Sequence, residues 1–124
     1  MNKIVITAGS VTMEAELNDS ATAQQVWDTL PLESTANTWG DEVYFEIPIF
    51  MDEAPDARAD AEVGELGYWP VGHAFCIFFG RTPASTDERP RAASPVNPLG
   101  RVVGDATAFR VVRRGEKVRL TRAG

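Results

Sequence analysis

The residues best suited to chemistry are concentrated in one stretch, GYWPVGHAFCIFFGRTPAS, at 67–85. It contains the only histidine, His73, and the only cysteine, Cys76, together with Arg81. A single histidine excludes a metal site or a dyad built from histidines, and no Cys/His spacing suits zinc. Cys76 lies in an apolar run without a neighbouring base, so we expect a small buried hydrophobic residue rather than a nucleophile.

His73 and Arg81 each allow two interpretations. His73 stands at the start of a strand, where it is either a structural residue or a polar wall of a binding groove. Arg81 follows the buried strand and Gly80. Its guanidinium either holds a proline-rich loop by hydrogen bonds or meets an anion or a peptide carbonyl.

The usual catalytic combinations are missing. Ser94 lies in SPVNP, a turn-like segment, and has no base in the sequence beyond His73. Asp41 and Glu42 are adjacent in a predicted strand, so their side chains point to opposite faces and do not form an acid/base pair. The segment GELGYWPVG lacks the lysine and the following helix of a phosphate-binding loop. The sequence therefore leaves enzymatic activity uncertain and favours a protein without it.

Aromatic side chains are the other candidates for a ligand site. Trp69 and Trp39 each precede or lie within a glycine-containing turn, and each is either a core residue or a platform for a ligand. Trp27, on a predicted helix, is expected to plug the end of a barrel. Tyr44 points away from Phe45, so we expect its hydroxyl to reach a groove or solvent.

Composition restricts the class of protein. A chain of 124 residues that is 44% hydrophobic predicts one globular domain, spanning 1–124. MNKIVITAGS runs directly into strand-like alternation, so we expect no secretory leader, and no apolar run approaches the ~20 residues of a membrane span. With one cysteine and no internal disulfide, the sequence predicts a cytoplasmic protein that does not act at a membrane.

The charge is unevenly distributed. The net charge of −6 argues against nucleic acid as a partner. Residues 1–66 contain 14 Asp+Glu and 2 Lys+Arg, whereas residues 67–124 contain 4 and 10. Either acidic strands of the first half pair with basic strands of the second, or a basic patch binds an anion or an acidic partner.

The first half of the chain reads as two hairpins separated by a helix. Val11, Met13, Ala15 and Leu17 alternate with polar residues, which is the pattern of a half-buried strand. The predicted strands are 3–8, 11–17, 33–38 and 42–49, and the predicted helix is 21–30. The polar segment 52–61 is predicted to be a surface loop.

The second half continues the same organisation. Predicted strands are 63–69, 73–79, 99–103 and 117–121, with a short helix at 106–113. HAFCIFF has no polar face, which indicates a strand covered on both sides. Residues 81–98 carry four prolines and predict a long exposed loop. About eight short strands and two helices indicate a mainly β fold, a small and mostly antiparallel barrel.

Three blocks resemble a known family. NTWGDEVYFEIP (37–48), GELGYWPVGHAFCIFFGRTPAS (64–85) and ASPVNPLGRVVGD (93–105) resemble short prokaryotic proteins with a cyclophilin-like fold, and the resemblance runs nearly end to end. It implies a closed eight-stranded cyclophilin-like barrel with two short helices, one at each end. It implies no established activity.

Cyclophilins themselves are prolyl isomerases, and the resemblance can be tested against their chemistry. Their groove needs an arginine that donates to the prolyl amide as its C–N bond twists, beside an apolar slot for the proline ring. The strand that should present the arginine, 42–47, has none. IFFG resembles the strand that carries the pocket phenylalanine, which implies that role for Phe79.

We therefore predict a non-catalytic module, without a metal or cofactor, that binds an extended peptide or a small molecule. The predicted ligand-binding residues are Tyr44, Trp69, His73, Phe79 and Arg81. One alternative is a prolyl isomerase with a relocated arginine, either Arg81 or Arg101. A second is a structural or oligomeric subunit that pairs through the strand edge near Pro48.

Overall fold

The computed structural model describes residues 2–124, which form a mainly β, antiparallel structure. Two helices accompany the strands, namely α1 (Ala21–Thr29) and a 3-10 helix (Ala106–Val111). The strands are β1 (Lys3–Ala8), β2 (Val11–Leu17), β3 (Leu32–Thr35), β4 (Asn37–Thr38), β5 (Glu42–Glu46), β6 (Arg58–Asp60), β7 (Glu65–Trp69), β8 (Ala74–Phe78), β9 (Arg91–Val103) and β10 (Lys117–Arg122). None of the helices in the described residues is long and apolar enough to cross a membrane.

The sheet differs from the predicted closed eight-stranded barrel. It has ten strands in the order β3-β10-β1-β2-β9-β7-β8-β5-β4, with β6 paired to β9. Between residues 2 and 124 no backbone ladder joins β3 to β4, so hydrogen bonds do not close the sheet. Ala36 alone separates these two end strands, because the predicted single strand at 33–38 is divided. Its first part pairs with β10 and its second with β5.

The N-terminal elements match their predicted positions. β1 and β2 form an antiparallel hairpin over the predicted residues. Ser20 caps α1, because its side-chain oxygen accepts a hydrogen bond from the backbone N–H of Ala23 at 3.1 Å. Trp27 is partly buried against the core. Its carbonyl accepts hydrogen bonds from Arg122, whose guanidinium lies 4.5 Å from the ring centroid.

The loop predictions were wrong at two places. β6 lies inside the predicted surface loop at 52–61, and β9 begins at Arg91 rather than near Leu99. Proline lacks a donor, which usually disfavours a strand. The first half of β9 tolerates Pro95 and Pro98 because its pairing with β6 and β7 is irregular, with a register shift beside each. Of the predicted loop at 81–98, the part that stays irregular is 81–90.

Opposite charges of the two halves do meet across the sheet. Glu33 is paired with Arg119 between β3 and β10. Arg101 on β9 lies between Glu16 of β2 and Glu65 of β7. Such pairs are mildly stabilising, and they agree with the first of the two alternatives, in which acidic strands lie beside basic ones.

The buried residues form two groups on opposite faces of the same strands. The inner cluster comprises Ile4, Ile6, Ala8, Val11, Ala15, Leu17, Ala23, Val26, Leu30, Leu32, Ala36, Val43, Phe45, Ile47, Ile49, Leu66, Tyr68, Phe75, Ile77, Phe79, Leu99, Val102, Ala106, Phe109, Val112, Val118 and Leu120. The outer cluster comprises Ala61, Ala74, Cys76, Phe78, Ala92 and Val96, with Tyr44 and Trp69 packed against it. β8 is therefore covered on both faces, as its uninterrupted apolar sequence predicts.

Candidate functional site

A pocket of about 180 Å³ opens beside the outer cluster. We call it the aromatic pocket. Its lining comes from β5, β7, β8 and the first half of β9, together with the turn before β5. The lining residues are Trp39, Glu42, Tyr44, Trp69, Cys76, Ala92, Ala93 and Val96.

Strand alternation places the side chains of the pocket. Val43 and Phe45 of β5 belong to the inner cluster, so Glu42 and Tyr44 point to the other face. Tyr44 is directly opposite Cys76 on β8, and Cys76 is in turn opposite Gly67 on β7. The pocket therefore lies over a row of three neighbouring strands, β5, β8 and β7, whose pairing is regular.

A close approach between β7 and β9 shapes one side of the pocket. A Cβ atom at Gly67 would lie 2.7 Å from Cγ2 of Val96, which is shorter than side chains allow. Glycine at this position lets the first half of β9 cross close to β7. That crossing brings Ala92, Ala93 and Val96 to the pocket wall.

Two aromatic residues are held in a fixed arrangement. The rings of Tyr44 and Trp69 meet edge to face, with centroids 6.3 Å apart and an interplanar angle of 81°. The Trp69 indole Nε1–H donates a hydrogen bond to Oγ of Ser94 at 2.6 Å. A Cβ atom at Gly72 would lie 2.5 Å from the Trp69 ring, so the following turn packs directly on the indole. The aromatic wall is thus preformed.

Glu42 is the acidic group of the pocket. The residue is 5% exposed, and burial raises the pKa of its carboxyl from 4.5 to about 7, although the neighbouring Cys76 thiol acts in the opposite direction. Burial, followed by the charge and the hydrogen bond of Glu42, raises the pKa of the Cys76 thiol well above its ordinary value. The thiol stays protonated, as expected of a buried small residue. The Glu42 carboxyl, in contrast, changes charge near neutral pH.

Tyr44 and Trp69, two of the five predicted ligand-binding residues, line the aromatic pocket. His73 does not line it. Its backbone is in the left-handed region, with φ 49°, and its ring packs edge to face against Phe50 at 4.6 Å. Its Nδ1 lies 3.4 Å from the hydroxyl of Tyr68.

Phe79 and Arg81 also lie away from the pocket. Phe79 is in the inner cluster, with its ring centroid 6.4 Å from that of Phe109. Arg81 is exposed, and its guanidinium lies 3.8 Å from the carboxylate of Glu88. The structure therefore brings together only the pair Tyr44 and Trp69 from the predicted set.

The prediction missed Glu42 and the residues of β9. A signal for Glu42 was present in the sequence. Alternation along β5 places Glu42 on the same face as Tyr44, whose hydroxyl was expected to reach a groove, so the carboxyl could have been expected beside that ring. No comparable signal marked Ala92, Ala93 and Val96, because the prolines around them predict a loop.

A second groove, of about 340 Å³, is more polar and contains Arg101. Glu16, Glu62 and Glu65 line it together with Arg101 and Arg58, and Arg58 is ion-paired with Glu65. Arg101 is opposite Glu16 on β2 and Glu65 on β7, so acidic and basic side chains are intermixed in this groove. Within residues 2–124, no group of three His, Cys, Asp or Glu side chains is placed to hold a metal ion.

Comparisons with known proteins agree with this architecture. A hypothetical protein of Archaeoglobus fulgidus, whose structure was determined in solution, is 37% identical to the chain and superposes with a TM-score of 0.84. The match covers 98% of this chain and 95% of the archaeal one. No curated protein matches the chain. The model of the Cyclophilin-like family matches residues 2–121, and the chain therefore belongs to the Cyclophilin-like family.

Proposed function

We propose that this protein is a binding module whose aromatic pocket accepts one small ring or apolar side chain of a peptide or small molecule. The observation that carries the proposal is the preformed pair of Tyr44 and Trp69, which lines an open apolar space together with Trp39. Concave, mainly apolar sites with a few polar groups are the common form of ligand sites in proteins.

The size of the pocket limits what enters it. An apolar cavity of about 150 Å³ in an engineered protein is known to hold benzene. The aromatic pocket, at about 180 Å³, has room for a group of that size, such as a proline ring or a substituted phenyl ring. A longer ligand would leave its remainder on the surface outside.

The isomerase alternative requires an arginine beside the apolar slot. Of the described residues, none that lines the aromatic pocket is basic. Arg81 lies beside Glu88, and Arg101 lines the second groove among acidic side chains. Neither arginine is placed to donate to an amide in the aromatic pocket, so binding without catalysis is favoured. Pairing through the edge near Pro48 stays a prediction for sedimentation to test.

The three tryptophans provide the test, because they report separately in an NMR spectrum. We would titrate ¹⁵N-labelled protein with a blocked Ala-Pro peptide, with benzyl alcohol and with benzylammonium, following the indole N–H signals. Trp39 and Trp69 should shift with at least one probe, whereas Trp27, which packs under Arg122, should not. If no probe moves the Trp39 and Trp69 signals at millimolar concentration, the proposed function is wrong.

Two variants and one exchange measurement complete the design. Trp69→Phe should weaken ligand binding, because the smaller ring offers less contact area to the ligand. Arg81→Ala should leave the affinity unchanged, because Arg81 lies outside the pocket. Exchange between the cis and trans signals of the peptide is recorded in the same samples. Accelerated exchange would revive the isomerase alternative, and unchanged exchange is expected.

A further inference from the structure

We propose that the ligand of the aromatic pocket carries a cationic nitrogen, a small organic ammonium group that Glu42 binds as its counter-ion within the wall of Trp39, Tyr44 and Trp69. The inference rests on the proposed function and specifies its ligand class. The lining contains one carboxyl group, which binding of a purely apolar ligand would not require.

The charge of Glu42 has no basic partner among the lining residues. Glu42 is 5% exposed, which is rare for a glutamate unless it is paired. The titratable groups that face it are Tyr44 on its own strand and Cys76 on β8, and neither supplies a positive charge. The lining from β7, from β9 and from the preceding turn consists of tryptophan, alanine and valine. An ammonium ligand would provide the missing opposite charge.

The aromatic wall suits the same ligand. A cation within about 6 Å of a tryptophan or tyrosine ring is attracted by the negative face of the ring, and sites for organic ammonium groups use several such rings. The aromatic pocket has three aromatic residues around one carboxyl. A carboxylic or phosphate ligand would instead meet a like charge, so charge complementarity selects the cation.

The raised pKa of Glu42 predicts how the affinity for a cationic ligand changes with pH. Because burial raises that pKa to about 7, the carboxyl gains its charge as the pH rises through neutrality. An ammonium ligand binds the charged form and should bind more tightly at higher pH. A neutral ligand that accepts a hydrogen bond from the protonated carboxyl would show the opposite dependence.

Benzylammonium and benzyl alcohol form a matched pair of probes, because they share a ring and differ in charge. We would measure the dissociation constant of each from the Trp39 and Trp69 indole signals at pH 6 and pH 8, where benzylammonium keeps its proton. With a pKa of about 7, the ionised fraction of Glu42 rises about tenfold between these conditions. Benzylammonium should therefore bind about tenfold more tightly at pH 8 than at pH 6. Benzyl alcohol should bind more weakly at pH 8 than at pH 6.

Glu42→Gln removes the charge and keeps the shape, and Glu46→Gln removes an exposed charge from the same strand as a control. We expect the pH dependence of benzylammonium binding to disappear in the first variant and to persist in the second. The profile of the unaltered protein tests the inference even if Glu42→Gln folds poorly.

The measurements distinguish a failure of the cationic-ligand inference from a failure of the proposed function. Equal binding of both probes with no effect of Glu42→Gln, or tighter binding of benzylammonium at pH 6, overturns the cationic ligand and leaves the binding module intact. If neither probe nor the blocked Ala-Pro peptide moves the Trp39 and Trp69 signals, the proposed function fails and the inference fails with it.

Discussion

The inner and outer clusters share strands but differ in how completely they are filled. The inner cluster contains four phenylalanines and one tyrosine, and it is almost entirely apolar. The outer cluster has six buried residues, of which three are alanine, and it borders an open pocket that contains a carboxyl group. One face of the sheet is filled by large apolar side chains, and the other borders an open pocket.

β5 and β8 illustrate the difference within two residues. Phe45 stacks on Phe75 in the inner cluster, with centroids 5.1 Å apart. One residue earlier, Tyr44 is opposite Cys76 on the pocket side. Because successive side chains of a strand point to opposite faces, a single pair of strands supplies both the core and the candidate site. Side chains on the pocket side can therefore be changed without repacking the inner cluster.

The largest expected effect is on the inner face. Phe45→Ala removes a fully buried ring that is stacked on Phe75, and it should lower the free energy of unfolding by about 3–5 kcal/mol. Tyr44→Ala, next to it on the pocket side, should cost clearly less, because that ring is only partly buried. Urea denaturation measures both. Equal losses would show that the outer face is as important to stability as the core.

The next effect concerns Glu42. Its folded-state pKa, about 7, is above the ordinary value of 4.5, so the folded protein holds the proton more tightly than the unfolded chain. Stability contributed by this group should fall as pH rises from 4.5 to 7 and then level off, by a total on the order of 3 kcal/mol.

The measurement is the difference in unfolding free energy between the unaltered protein and Glu42→Gln at pH 4.5 and pH 8. As the pH rises, the unfolding free energy of Glu42→Gln should increase by this amount relative to that of the unaltered protein. Glu46→Gln, whose side chain is exposed on the same strand, should show no such increase. A constant difference would show that the carboxyl is not desolvated.

A smaller effect is expected on the outer face, at Gly67. Gly67→Ala should destabilise by about 1–3 kcal/mol, because the new Cβ would lie 2.7 Å from Val96. At a strand position with free space, the same change would stabilise by reducing the entropy of the unfolded chain. A double-mutant cycle measured by thermal unfolding tests this contact. Gly67→Ala should cost less unfolding free energy when Val96→Ala is also present. Strictly additive losses would contradict the close approach of the two residues.

The smallest expected effect is at Arg81. This side chain is exposed and meets Glu88 at 3.8 Å, so Arg81→Ala should change the unfolding free energy by less than about 0.5 kcal/mol. Urea denaturation of Arg81→Ala and Phe45→Ala under the same conditions should give the smallest and the largest loss of unfolding free energy. A loss comparable to that of Gly67→Ala would show that Arg81 holds the 81–90 loop.

Local pattern predicted some elements well and others poorly. β1, β2 and α1 lie where period and capping place them, because each is specified by its own residues. β6 and the first half of β9 were missed, since prolines and polar residues favour a loop locally. Their pairing depends on strands distant in sequence, which a local pattern does not contain. The count of strands, and whether hydrogen bonds close the sheet, depend on the same long-range pairing.

The sequence by itself determined the mainly β class, the two-sided burial of β8, and the outward direction of Glu42 and Tyr44, because alternation along a strand is a local property. Only the tertiary structure decided that Trp39, Trp69 and three residues of β9 would gather around Glu42, namely Ala92, Ala93 and Val96. The environment that raises the pKa of that carboxyl comes from strands far apart in the chain. Burial is a property of the assembled sheet, and it turns an ordinary strand glutamate into a candidate for ligand recognition.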